Sequence, residues 1–264
     1  MDTLVSEWAL ATGSSTKLRY NEGLIRFLGD WLFSDYQPFP EKADFWDRLF
    51  VWLDQIGNCD TRTADQQAMF NLIPHLLFAA ERDLTSMYRA AFEGPILRWL
   101  IGQGNLDFEK ANLDSELNKL RQRTWFGSLA GMDISGFCRV NRIIPQSYRP
   151  EFRFVAEFCD VAKVRVWLKD NNYDRIVVVE DMIGTGTQFI ESLAALRALD
   201  SLDILFVPLF ITPDEFQLVR YSLEDPENRH ISCEPICVLP EACLIRKDAR
   251  QDEHDDIAGF RDVI

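Results

Sequence analysis

The chain has no Cys-x-x-Cys pair and only three histidines, none spaced as a zinc site requires. Its six cysteines, Cys59, Cys138, Cys159, Cys233, Cys237 and Cys243, therefore read as buried thiols. No apolar run approaches membrane-spanning length, and Met1-Asp2-Thr3 lacks the positive region and apolar core of a signal peptide. The expectation is a cytoplasmic protein without a membrane partner. Positive charge is scarce as well: 28 Lys and Arg stand against 42 Asp and Glu, a formal charge of -14. That excludes coating nucleic acid by charge alone and leaves room only for a local basic patch. What is plentiful is apolar content, 47% over 264 residues, enough for one large core or two modest ones.

One stretch combines a buried-strand signature with phosphate-gripping chemistry, Arg175-Ile-Val-Val-Val-Glu-Asp-Met-Ile-Gly-Thr-Gly-Thr-Gln188. Ile176 to Val179 is β-branched without polar alternation and too short for a helix, as in a strand covered on both faces. Glu180 and Asp181 follow, then Gly184 and Gly186, then Phe189 to Leu199 with apolar positions at helical spacing. A strand, loop, helix unit places its loop at the strand's carboxyl end, where open α/β sheets bind ligands. The glycines allow a tight turn, and the amides of Thr185 to Gln188 at a helix start suit an anion. Thr185 and Thr187 add hydroxyl donors; Glu180 and Asp181 are acceptors for sugar hydroxyls or a hydrated magnesium ion. Phosphate beside a diol describes a ribose 5-phosphate. A dinucleotide fingerprint would need a third glycine, and a Walker-type loop would need a lysine; neither is present. The competing reading is a buried strand and glycine turn whose acids cap the next helix.

Val177 to Gln188 resembles the phosphoribosyl pyrophosphate (PRPP) loop of type I phosphoribosyltransferases: apolar strand, two acids, two spacers, and a Gly/Thr-rich turn. The resemblance implies that Glu180 and Asp181 bind the ribose hydroxyls, while Gly184, Thr185, Gly186, Thr187 and Gln188 hold the 5-phosphate. It also implies Mg2+ bound with PRPP. Two departures stand out. Purine enzymes often carry an acid where this chain has Gly184, and many members end the turn in Thr or Ser where it has Gln188.

The expected fold class is therefore α/β, a parallel-sheet phosphoribosyltransferase-like domain at 121–264 preceded by an all-helical region at 1–120. In the first part, helices are expected through 18–32, 45–53, 66–78, 84–92, 96–101 and 108–120, with Asp44 or Asp83 as starts and Gly57 or Gly94 as ends. The aromatic residues there read as core. Ser14-Ser15-Thr16-Lys17 reads as a loop and helix start rather than an acylase motif. Trp125 to Ala130 is a candidate strand, followed by Gly127, Ser128 and Gly131 as either a pyrophosphate loop or an ordinary turn. Arg139, Arg142 and Arg149 are candidate polyphosphate contacts. Glu151 to Lys169 is amphipathic, closed by Asn171-Asn172. Ile204 to Ile211 reads as a second strand, and Thr212-Pro213-Asp214-Glu215 as a capping box with proline at the first helical position. Ile231 to Leu239, broken by Pro235, reads as an edge strand. Cys233, Cys237 and His230 read as structural, and Asp252 to Asp256 as a solvated acidic loop. No final strand follows Ile257, which implies a shortened sheet or a chain lacking its natural carboxyl terminus.

Two functions follow from the resemblance. An enzyme, a phosphoribosyltransferase of the glycosyltransferase class, would transfer a phosphoribosyl group to a nitrogen nucleophile; the residues name no general base. A catalytically inactive module would sense PRPP or a nucleotide. The layout is also similar to phosphoribosyltransferase-like proteins of bacterial antiphage loci, including some retrons, which implies partner proteins and a nucleic-acid complex.

Overall fold

The computed structural model describes residues 2–12, 15–31, 45–56, 62–104, 106, 109, 112–128, 132, 134–143, 161–184, 187–241, 244 and 254–261. The helices are α1 (Asp2–Thr12), α2 (Ser15–Trp31), α3 (Phe45–Asp54), α4 (Arg62–Leu72), α5 (Glu81–Ala91), α6 (Leu97–Gly104) and α7 (Leu113–Gln122). Strands and helices then alternate: β1 (Thr124–Gly127), α8 (Ile134–Val140), α9 (Val161–Asp170), β2 (Arg175–Ile183), α10 (Thr187–Arg197), β3 (Asp203–Ile211), α11 (Pro213–Leu223), β4 (Ile231–Cys233), β5 (Cys237–Val238) and α12 (Asp255–Arg261). No helix among the described residues is long and apolar enough to cross a membrane.

By compactness the chain forms two units, Met1–Asp83 with Ala242–Ile264, and Leu84–Glu241. Helices from Leu84 onward thus accompany the sheet, whereas the division at residue 121 is one of composition.

The first unit is helical. Val5 and Trp8, Leu18 and Ile25, Leu49 and Leu53, and Phe70 and Ile73 recur at three, four or seven residues and meet in one core. Trp8 packs edge-on to Phe70 at 5.6 Å. The expectation that the aromatic residues are all core fails in α2. Phe27 and Trp31 sit well round the helix from Leu18 and Ile25; they are 57% and 70% exposed and stack on each other. The acidic segment differs too. Asp255 and Asp256 open α12, and Asp256 is buried rather than solvated.

In the second unit β1-β2-β3-β4 lie side by side, all parallel, with β5 also parallel to β3. The α/β class follows, and Ile176 to Val179 explains it. Ile176 and Val178 pack under α9, α10 and α11 with Trp125, Ile204 and Phe206. Val177 and Val179 pack under α6 and α8 with Phe126, Leu205 and Val207. All four are fully buried, each contributing about 1.5–3 kcal/mol.

Proline placement fits this ladder. Pro208 lies inside β3, yet its carbonyl accepts from Ile236 N at 2.9 Å, across the interval between β4 and β5. A residue's N and O point to the same neighbour in a parallel strand, so the missing N–H falls where no ladder continues. Pro235 splits the expected 231–239 strand into β4 and β5. In α5, Asp83 is the third residue, not the start; its Oδ2 accepts from Ala80 N at 3.0 Å. Gly94 does not end a helix either: Phe92–Ile96 forms a π turn that absorbs Pro95 and joins α5 to α6. Asn172, at φ 61°, closes α9 as expected, with Tyr173 N donating to Leu168 O at 2.8 Å. Pro213 opens α11, but the Thr212 side chain makes no capping bond.

Candidate functional site

The ladder between β2 and β3 continues through Glu180 with Pro208, Met182 with Phe210, and Ile183 with Ile211. The two acids therefore lie inside a strand that was expected to end at Val179. β1 stops at Gly127, opposite Val178, so residues 179–183 of β2 extend beyond it. Among the described strands the order is sequential, so the unpaired edge of β2 beside Asp181 comes from this inequality of length, not from a reversal of strand order.

The acids differ in setting. Glu180 is 2% exposed and engaged within the protein, while Asp181 is open to solvent. Asp181 Oδ1 accepts from Met182 N at 2.8 Å, which uses only part of a carboxylate's capacity for acceptor bonds. Of the two acids, Asp181 is the one open to solvent. Gly184 follows the strand directly, but a Cβ there would make only an ordinary 3.7 Å contact with Met182 and its φ is not in the left-handed region. Neither crowding nor conformation inside the protein requires glycine at 184. Thr185 and Gly186 lie outside the described residues; Thr187 and Gln188 begin α10, their side chains also outside the description.

That helix is firmly held. Phe189 and Leu196 are fully buried, and Phe189 stacks on Phe206 at 4.9 Å. At its far end Arg197 reaches Asn228 Oδ1 at 2.9 Å, Glu227 at 2.9 Å and Asp225 at 3.2 Å. A cation in the last turn matches the helix dipole, whose positive end at Thr187 favours an anion.

Of the upstream segment, Gly127, Ser128 and Met132 are described. Ser128 Oγ donates to Met132 O at 3.2 Å, within its own loop. Gly127 is explained by packing, as a Cβ there would lie 2.3 Å from the Trp125 ring; Gly131 and Arg149 are outside the described residues. Arg142 is not at the phosphate turn. Arg121, just before β1, donates to Asn141 O at 3.0 Å, which puts residues 141–142 at the amino end of β1, beside Arg175 in register. Asp181 lies six positions further along β2, about 20 Å at strand rise. Arg139 sits exposed on α8. His230 Nε2 contacts Leu196 O at 3.3 Å, and burial, with Glu234 adding to it, pushes the Cys233 thiol up to about 12. Cys233 is therefore a neutral, inert thiol.

The sequence pattern did not mark Met182, 47% exposed beside Asp181, as a site residue, and it read Thr212 only as a helix cap, whereas its backbone N donates to Ile183 O at 3.2 Å and ties β3 to the end of β2. A cleft of about 410 Å³, lined by Gly104, Leu120, Arg123 and Arg175, lies at the opposite, amino end of these strands.

The family model PRTase-CE matches residues 51–249, more than half of the chain and the whole of the β2–α10 turn. No curated protein and no solved structure matches.

Proposed function

The chain belongs to the PRTase-CE family, and on that premise we propose that residues 180–188 bind Mg-PRPP or another ribose 5-phosphate-containing nucleotide. The observation that carries this reading is the solvent-open Asp181 carboxylate at the carboxyl end of a buried parallel strand, followed at once by a helix amino end. Asp181 accepts from the ribose hydroxyls, with Glu180 beneath it. Gly184 to Gln188 receive the 5-phosphate on backbone amides and the threonine hydroxyls. Hard oxygen donors of this kind suit magnesium, which is held mainly by substrate phosphates and one or two carboxylates.

In the enzymatic form of this reading, the bond from ribose C1 to pyrophosphate breaks, a nitrogen nucleophile forms the new bond to C1, and the nucleophile's proton goes to solvent or a base. Positioning and charge stabilisation carry the rate. The alternative is a PRPP- or nucleotide-sensing effector of an antiphage system, retron-associated for example. Gly184, standing where purine enzymes often carry an acid, favours that alternative.

Calorimetric titration with PRPP, with and without Mg2+, tests the site. The expected result is magnesium-dependent binding that Asp181→Asn weakens by about 10- to 150-fold, the worth of a hydrogen bond to a charged group. Unchanged affinity in the variant removes the assignment. Pyrophosphate release with pooled nucleobases then identifies an enzyme, and saturable binding without release a sensor.

A further inference from the structure

Two of the three histidines converge within the first unit. His75 ends a 3-10 turn after α4, and His254 directly precedes α12; their rings lie 4.5 Å apart, centroid to centroid. Between them stands Asp256, its side chain 3% exposed although 181 residues separate it from His75. Asp256 Oδ2 is 3.4 Å from His75 Nε2 and 3.4 Å from His254 Nδ1. Its other oxygen, Oδ1, is taken by Lys17 Nζ at 2.7 Å.

The lengths of these contacts decide what belongs in the gap. A charge-assisted N–H···O bond runs at about 2.7–2.9 Å, so neither 3.4 Å approach to Asp256 Oδ2 is a good hydrogen bond. The backbone N–H of Asp256 reaches His254 Nδ1 at 3.3 Å, a long contact that an ion at that lone pair would replace. With bonds of about 2.0–2.1 Å to His and Asp, donors around a tetrahedral ion are about 3.3–3.4 Å apart, which is the spacing of both His–Asp pairs here. All three donor atoms lie within 4.8 Å of one another.

We infer that His75, His254 and Asp256 bind a divalent transition-metal ion of the zinc class, with water as the fourth ligand. Two imidazoles and a carboxylate select such an ion over Mg2+ or Ca2+. Lys17 serves as the outer partner that fixes the carboxylate, as ligating carboxylates require. The ion staples α12 to the helices of the first unit, on which α12 already packs against α4. The inference is independent of the PRPP reading.

The test uses the full chain, stripped with chelator and titrated with Zn2+ against a competing indicator at neutral pH. One equivalent is expected to bind and to raise the melting temperature, and excess Mg2+ should not displace it. His75→Ala and His254→Ala should each weaken binding by more than about 100-fold, beyond the 10–100-fold typical of losing an outer partner; His230→Ala should not. A second readout needs no variant: Co2+ bound to the native chain should give the intense visible bands of a tetrahedral site. No zinc binding, binding insensitive to both histidine variants, or octahedral cobalt spectra would each overturn the inference.

Discussion

Gly127 and Trp125 share a face of β1, and the indole, fully buried, occupies the space that a side chain at 127 would need. Because the obstacle is a packed ring and not the tip of a flexible chain, Gly127→Ala should cost about 1–3 kcal/mol, the usual toll of overpacking. Urea denaturation measures it; an unaltered midpoint would mean that the indole has another place to go. The same residue had been a candidate for a ligand loop, and only the neighbouring ring reveals its packing role. Glu180 and Asp181 were legible because two acids after a β-branched run are chemically conspicuous. Their unequal exposure was not, since it depends on where β1 stops. Still less legible was the meeting of His75, His254 and Asp256: no spacing in sequence announces a contact across 181 residues.

Helix ends show the same balance among the elements. α8 and α9 both close with a left-handed residue and a bond back to the last turn, Ile143 N to Cys138 O and Tyr173 N to Leu168 O, each 2.8 Å. The left-handed residue is Asn172 after α9 but Arg142, at φ 53°, after α8. Asparagine tolerates that region through local hydrogen bonding, whereas arginine bears roughly 1–2 kcal/mol of crowding. Arg142→Gly should therefore raise stability by about 0.5–1 kcal/mol once glycine's extra chain entropy is deducted. Asn172→Gly should gain less, and equal gains in chemical denaturation would contradict the argument. The asparagine closure, the buried strands and the break at Pro235 were legible, each resting on a local backbone rule. The continuity of α5 into α6 was not: Gly94-Pro95 reads as a stop unless a π turn takes up the missing donor.

At the scale of the whole molecule, the return of residues 242–264 to the first unit is a tertiary fact without a local signature. Charge, by contrast, is a whole-chain property that composition gives directly, and the structure sharpens its consequence. The formal charge is -14, and several of the arginines are already spent on neighbours: Arg98 on Glu234, Arg123 and Arg175 on Asp174, Arg165 on Asp200, Arg197 on Asp225 and Glu227. Affinity for nucleic acid grows with the number of phosphates that free Lys and Arg neutralise, releasing counterions. A chain whose net charge is negative and several of whose described arginines are paired gains little from that term. The isolated protein should thus show no binding to single- or double-stranded DNA or RNA at ~0.15 M salt, weaker than the 10⁻⁴–10⁻⁶ M common for nonspecific binders. Fluorescence anisotropy on labelled oligonucleotides measures this directly. Micromolar, salt-sensitive binding would reveal a basic surface that the composition and these ion pairs argue against; its absence would mean that any nucleic-acid complex containing this chain is assembled through a partner protein.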